Sequence, residues 1–138
     1  AYELVTYLID QKIVRTEESA TWGKTGVDLS DHVMIDFEHT LADIMTSFVV
    51  SMDDEIVVYG DAGKLVLPNP HYASECLAYD EEGKIKEHFV DKETDNGFVY
   101  EIADVISCVR AGRTQSEVST WAATIACAEE FDRINKDR

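Results

Sequence analysis

The chain has 138 residues, 45% of them hydrophobic, and its 28 acidic and 12 basic residues give a net charge of −16 at pH 7. This length and composition are typical of one globular domain, residues 1–138, with a single core. The negative field repels phosphate backbones and anionic lipid, so we expect neither a nucleic-acid nor a membrane partner. No apolar run reaches the roughly 18 to 20 residues that span a bilayer.

The cysteines favour a reducing compartment. The chain has three cysteines, an odd number, and they are widely separated in sequence: Cys76, Cys108 and Cys127. This pattern argues against a disulfide framework or a zinc knuckle. Cys108 and Cys127 fall on apolar helix faces, as small core residues do. We therefore expect a cytoplasmic location.

The first quarter of the chain predicts a helix, a strand and a polar loop. Apolar residues at helical spacing within residues 1–10 predict a buried helix, and a chain that opens inside such a helix suggests a piece of a longer protein. A strand over residues 12–16 leads into a polar segment that contains Trp22, Lys24 and Asp28. These residue types suit the rim of a ligand site, although a surface loop pinned by Trp22 explains them equally well.

The middle of the chain predicts strands. Residues 33–50 predict two strands with a turn near Glu38–Thr40, and the residues at 33, 35 and 37 share one apolar face. Residues 55–59 and 64–67 flank a tight turn with two glycines and are apolar without alternation, as in strands covered on both faces. Residues 75–79 and 84–90 form a more polar hairpin, expected near an edge.

Two helices are predicted near the end of the chain. Asn96 is the expected N-cap of the first, and Gly112 can adopt the left-handed conformation that ends it. Ser119 is the expected cap of the second. The faces predicted to be buried are Phe98, Ile102, Val105 and Val109 in the first helix and Trp121, Ile125, Ala128 and Phe131 in the second.

The order of these elements predicts an α+β fold, a large and mostly antiparallel sheet with helices packed on one face. Three candidate helices are too few to cover both faces of strands that are apolar on both sides. The other face is therefore expected to be open for subunit association, and a homo-oligomer is the simplest way to cover it.

No active site is visible in the residue pattern. None of the four histidines has the spacing of a zinc site, and the acidic run Asp53–Glu55 lacks the alternating ligands of a calcium loop. His71 follows Pro70 in an irregular segment and is a weak site candidate. We predict no catalytic, cofactor-binding or metal-binding residue within this chain.

Four segments, in the same order, resemble one enzyme family. Residues 96–116 are similar to the C-terminal signature of the glucose–fructose oxidoreductase and inositol dehydrogenase (Gfo/Idh/MocA) family, in which a Gly-Phe-x-Tyr-Glu helix leads to a Cys-[Ile/Val]-x-x-Gly end. Lys24–Asp28 resembles the family's Thr-Gly-Val-Asp loop, Val57–Pro68 its Tyr-Gly-x-x-Gly hairpin, and Ala126–Ile134 its closing helix. The chain departs from the pattern at His39-Thr40, often Asn-Gly, and at Gln115, often Glu.

This resemblance implies that the chain is the second domain of an oxidoreductase that acts on a sugar, polyol or related hydroxy compound. The first domain of such enzymes is a Rossmann domain that binds NAD or NADP and carries the catalytic groups, so the chain alone is expected to be inactive and without cofactor. The resemblance further implies a sheet face that packs against a second subunit and a wall of the substrate cleft. The substrate-side candidates are Trp22, Lys24, Asp28 and His71.

Two other functions are compatible with the sequence. A non-enzymatic, dimer-forming binding or scaffold module could use the same fold, and a native start near Ala1 would favour it. Alternatively, a small α+β enzyme could use His71 with an acidic partner, which would require a deep pocket around His71.

Overall fold

The computed structural model of the protein describes residues 1–136, with side chains through residue 133. The chain divides into two compact units, one formed by residues 1–52 and the chain from residue 115 onward, the other by residues 53–114. The elements in chain order are α1 (Tyr2–Leu8), β1 (Ile13–Trp22), β2 (Asp28–Phe37), β3 (Leu41–Ser47), β4 (Glu55–Gly60), β5 (Gly63–Pro68), a 3₁₀ turn (Pro70–Tyr72), β6 (Glu75–Tyr79), β7 (Ile85–Val90), α2 (Phe98–Arg110) and α3 (Trp121–Lys136). The predicted α+β class is confirmed, with antiparallel strands throughout the part described.

The first unit is built on the antiparallel sheet β1-β2-β3. Ile35 lies between Thr16 of β1 and Ala42 of β3 in the register, and its side chain is fully buried. Phe37, two residues along the same face, is also buried. The alternating apolar face predicted for this strand is therefore confirmed, because successive side chains of a strand point to opposite faces.

The first strand is longer than predicted. The segment 17–22 was expected to be loop because it is polar, but it continues β1 and pairs with β2 as far as Trp22. β1 is an edge strand of this sheet, where charged side chains are tolerated and even favoured. The backbone pairing with β2 thus overrides the polar composition, and the loop shortens to residues 23–27.

The two helices of the first unit are joined by polar and aromatic contacts. The rings of Tyr2 and Phe131 lie with centroids 6.4 Å apart, and the Ser119 hydroxyl donates to the Glu3 carboxylate at 2.9 Å. The guanidinium of Arg133 bonds the carbonyl oxygen of Thr16 at 3.3 Å and the carboxylate of Glu130. These contacts tie α1, α3 and β1 together.

The face of α3 that is turned inward differs from the prediction. The side chain of Glu130, expected to face water, is 15% exposed, whereas Trp121, Ile125 and Phe131 are 59%, 58% and 49% exposed. The predicted stripe is therefore wrong, and Glu130 lies inward, paired with Arg133, whose guanidinium also bonds Thr16 of β1. The hydrogen bond from Arg133 holds the pKa of Glu130 below its usual value.

The cap of α3 is also displaced by one residue. Thr120 accepts the N–H of Ala123 through its hydroxyl at 3.1 Å, and the side-chain oxygen of Gln115 accepts the N–H of Trp121 at 2.9 Å. Ser119, the expected cap, donates to α1 instead. A hydroxyl at either position could satisfy the open N–H groups, so the sequence alone did not decide between them.

The second unit contains the antiparallel sheet β4-β5-β6-β7. Side chains that lie opposite each other in the strand register point to the same face of the sheet. One face of this sheet therefore carries almost only apolar side chains. Glu87 is the charged residue on that face. We call the set the β4–β7 apolar face, and it consists of Ile56, Val58, Leu65, Leu67, Cys76, Ala78 and Phe89.

The helix of the second unit ends where the sequence predicts, and its first residue, Phe98, lies two residues after the predicted cap Asn96. The Asn96 side-chain oxygen accepts the N–H of Phe98 at 3.0 Å, and Gly112 has φ +67°. The N–H of Arg113 donates to the carbonyl of Cys108 at 2.9 Å, which completes a C-terminal cap with Gly112 in the left-handed conformation. The expected burial of its apolar stripe is wrong, since Phe98, Ile102, Val105 and Val109 are 56–72% exposed. None of the described helices is long and apolar enough to cross a membrane.

The carboxylate of Asp91 organises the entry to α2 and gives a pH prediction. It accepts the N–H groups of Glu93 and Thr94 at 2.9 and 3.1 Å, and the Tyr100 hydroxyl at 3.4 Å. Its hydrogen bonds, with Thr94 first and then Glu93, hold the pKa of Asp91 below its usual value. A lowered folded-state pKa stabilises the chain above the unfolded pKa, and that stabilisation is lost as pH falls through the folded value.

We therefore expect Asp91→Asn to be less stable than the wild type at neutral pH and equally stable at pH values well below 4. Urea unfolding of both proteins over this pH range measures the difference. Asp95→Asn is the matched control, because the Asp95 side chain makes no hydrogen bond among the described residues. A constant difference between Asp91→Asn and the wild type at all pH values would contradict the linkage.

Candidate functional site

Three of the four predicted site residues lie at one end of the β1–β2 hairpin. Trp22 and Asp28 face each other in the register at the ends of their strands, and Lys24 lies in the loop between them. The loop is held by Gly23 N–H to Val27 carbonyl at 2.8 Å. Gly26 has φ +79°, a conformation that suits glycine and closes the turn. We call this group, residues 22–28, the hairpin tip.

The three side chains of the hairpin tip differ in what they offer a ligand. The Trp22 ring is 41% exposed, and the Asp28 side chain is half-buried. Lys24 is exposed, and its ammonium forms no ion pair within the described part of the chain. An apolar ring, a cation and a carboxylate within one loop can together bind a small molecule that has an apolar face and several hydroxyl groups.

His71 belongs to the second unit. Its ring nitrogen lies 3.2 Å from the carboxylate of Asp54, so the acidic partner that an acid–base pair would need is present. The carbonyl of Asp54 also accepts the N–H of Asn69 at 2.7 Å, which ties the residue before β4 to the residue before the 3₁₀ turn that carries His71. However, the His71 side chain is 77% exposed. A pair in that position is solvated on the surface. The alternative function, a small enzyme that uses His71 in a deep pocket, is therefore not supported.

The structure also contains side-chain pairs that the sequence did not reveal. His32 lies 2.7 Å from Asp43 across β2 and β3, and His88 lies 2.8 Å from Glu75 across β6 and β7. In each pair the two residues are diagonal in the strand register, so only the register brings them together. All four side chains are 41–60% exposed, as in ordinary surface pairs of modest energetic value.

The first unit contains a groove of about 790 Å³ between α1 and the segment that leads into α3. The groove could not be predicted from the sequence, because its walls come from two distant segments, residues 2–13 and 117–126. Its lining combines acidic and apolar side chains, among them Glu3, Asp10, Glu117, Leu8, Ile13 and Val118. One acidic residue of the groove, Glu3, already accepts a hydrogen bond from the Ser119 hydroxyl. Part of the hydrogen-bonding capacity of the groove is therefore used within the chain.

The two thiols on helices, those of Cys108 and Cys127, have different surroundings. Cys108 is 7% exposed and lies between the guanidinium of Arg113, at 3.7 Å, and the carboxylate of Asp104, at 3.9 Å. Burial raises the pKa of the Cys127 thiol, which disfavours the reactive thiolate. The described residues contain no group of three or more metal-ligating side chains placed to hold an ion.

Comparison with known proteins gives no assignment. No family model matches the chain, and no curated protein matches it.

Proposed function

We propose that this chain is the substrate-side and oligomerisation domain of a cytoplasmic, NAD(P)-dependent oxidoreductase that acts on a sugar, polyol or related hydroxy compound. Four segments resembling the Gfo/Idh/MocA family, in the family's order, support the proposal. The observation that carries it is the hairpin tip. The segment that resembles the family's Thr-Gly-Val-Asp loop is the same segment in which Lys24 lies between Trp22 and Asp28.

The chemistry of the hairpin tip fits a polyhydroxylated substrate. The ring of Trp22 offers an apolar surface for the C–H face of a sugar. The Lys24 ammonium donates up to three hydrogen bonds to hydroxyl or carboxylate oxygens, and the Asp28 carboxylate accepts from hydroxyl groups. Such groups position a substrate without taking part in hydride transfer.

Under this proposal the dinucleotide and the catalytic groups come from a preceding Rossmann domain. The chain contains no Gly-x-Gly-x-x-Gly unit that could bind the pyrophosphate of NAD or NADP. The proposal therefore needs a longer polypeptide, in which this domain completes the substrate cleft. It also assigns the β4–β7 apolar face to contact with a second copy.

The coding sequence upstream of Ala1 tests the proposal directly. We expect the reading frame to continue into a strand–glycine-rich turn–helix unit with the Gly-x-Gly-x-x-Gly fingerprint. A native start codon close to Ala1 would contradict the enzyme assignment and favour a stand-alone binding or scaffold module.

Lys24→Ala in the protein encoded by that full reading frame tests the hairpin tip. We expect kcat/KM for the hydroxy substrate to fall about tenfold to a hundredfold, because a charged hydrogen bond contributes about 1.5 to 3 kcal/mol. The affinity for NADH should not change. Lys12→Ala is the matched control, an exposed lysine of the same unit outside the tip. Equal kinetics for Lys24→Ala and the wild type would remove Lys24 from the site.

A further inference from the structure

We propose that Asn96 is a site of self-modification, at which the backbone nitrogen of Gly97 attacks the Asn96 side chain and converts it to aspartate or isoaspartate. The sequence places the nucleophile next to the electrophile, and the structure exposes both residues just before α2. The inference does not depend on the proposed function. It concerns covalent chemistry of the chain itself, for which the required co-reactant is water.

The electrophile is the side-chain carboxamide of Asn96. Its oxygen accepts the N–H of Phe98 at 3.0 Å, and its backbone carbonyl accepts the N–H of Val99 at 3.2 Å. Attack at the carboxamide carbon places negative charge on the side-chain oxygen. A backbone N–H already aimed at that oxygen stabilises the developing charge, as donors of an oxyanion hole do.

The nucleophile is the backbone nitrogen of Gly97. Its N–H donates to no acceptor among the described residues, so attack breaks no existing hydrogen bond. Glycine has no side chain to obstruct the approach, and the space where a Cβ would lie is empty to 4 Å. Asn96 and Gly97 are both exposed, which admits the water needed for the second step.

The reaction balances without an oxidant or reductant. The Gly97 nitrogen loses its proton and forms a bond to the side-chain carbon of Asn96, and the side-chain nitrogen leaves as ammonia. The resulting five-membered succinimide is hydrolysed by water at either carbonyl. Opening at one carbonyl gives aspartate, and opening at the other gives isoaspartate, in which the main chain passes through the former side chain.

The two products differ in their effect on α2. Aspartate keeps an oxygen in the capping position and adds a negative charge at the positive end of the helix, which is favourable. Isoaspartate inserts a methylene into the main chain immediately before Gly97. That shift removes the acceptor from the Phe98 N–H, so we expect the first turn of α2 to open in this product.

The chain carries its own negative controls. Asn69 is followed by Pro70, whose nitrogen has no proton to lose and cannot form the imide. Asn135 is followed by lysine rather than glycine, and a residue with a Cβ is a poorer nucleophile in this reaction than glycine. The proposal therefore requires modification at Asn96 in preference to both other asparagines.

Peptide mapping by mass spectrometry after incubation at neutral and mildly alkaline pH tests the proposal. We expect replacement of NH2 by OH at Asn96, increasing with pH, with isoaspartate detected by labelling with an isoaspartyl methyltransferase. Gly97→Ala should abolish the product within the same incubation. This variant should fold, because Gly97 has φ −59° and an added Cβ meets no atom within 4 Å.

A comparison with the urea-unfolded chain separates the contribution of the fold from that of the dipeptide. We expect the folded chain to react no more slowly than the unfolded chain, because the Phe98 N–H is already in place. Slower reaction in the folded chain would overturn the role of that donor. Modification at Asn69 or Asn135 before Asn96, or undiminished reaction in Gly97→Ala, would overturn the site.

Discussion

Gly63→Ala is expected to lower the free energy of unfolding by about 3 to 5 kcal/mol, from backbone strain and overpacking together. Gly63 begins β5 with φ +133°, a conformation that residues with a side chain rarely adopt. An added Cβ would lie 1.9 Å from the carbonyl oxygen of Tyr79 on the neighbouring strand. That oxygen belongs to the backbone of β6, so relief requires the strands to separate.

Two other glycines provide graded controls for Gly63→Ala. A Cβ on Gly60, at the opposite end of the same turn, meets nothing within 4 Å and requires no positive φ, so Gly60→Ala should be nearly neutral. Gly83 has φ +78° in open space, so Gly83→Ala should cost only the strain, about 1 kcal/mol. Urea unfolding of the three variants measures the series. Equal losses of unfolding free energy in Gly63→Ala and Gly83→Ala would contradict the prediction, because they would show that the strands move apart at Tyr79 without cost.

The elements of this fold could be predicted because their signals are local. Alternation along Val33–Phe37, the two-glycine turn before β5, and the Asn96 and Gly112 ends of α2 each depend on a few neighbouring residues. The length of β1 could not be predicted in the same way. Its polar second half is held by hydrogen bonds to β2, and composition carries no information about that partner.

The burial of Glu130 and the pairing of surface side chains could not be predicted from the sequence for a related reason. Glu130 lies inward, paired with Arg133, whose guanidinium also bonds Thr16, more than a hundred residues away along the chain. The His32–Asp43 pair depends on the register between two strands. The hairpin tip was accessible because Trp22, Lys24 and Asp28 are close in sequence, whereas the groove beside α1 joins segments from both ends of the described chain.

The β4–β7 apolar face leads to the second large expected effect. Phe89, Val58 and Leu65 on this face are 66%, 51% and 47% exposed. An exposed apolar face of this kind is what a second copy covers in a specific interface, which typically buries roughly 800 Å² on each partner.

We therefore expect the protein to form a dimer through this face, and Leu65→Asp to weaken the dimer at least about a hundredfold. Burying a carboxylate among Val58, Leu67 and Ala78 without a partner opposes association by about 3 kcal/mol or more. Leu65 is central on the face, opposite Val58 on one side and Ala78 on the other, so the charge cannot reach the rim. Sedimentation equilibrium or light scattering over a concentration series measures the change.

Leu41→Asp is the matched control for this prediction. Leu41 is 69% exposed on β3 of the first unit, so the substitution adds the same charge at an equally open strand position away from the β4–β7 apolar face. It should leave the dimer intact, and both variants should keep the wild-type circular dichroism spectrum, because neither side chain is buried within the single chain. A monomeric wild type at high concentration would contradict the dimer. Dissociation by Leu41→Asp but not by Leu65→Asp would place the interface on the sheet of the first unit, where Arg15, Asp36 and His32 make a polar face that is poorly suited to a dry interface.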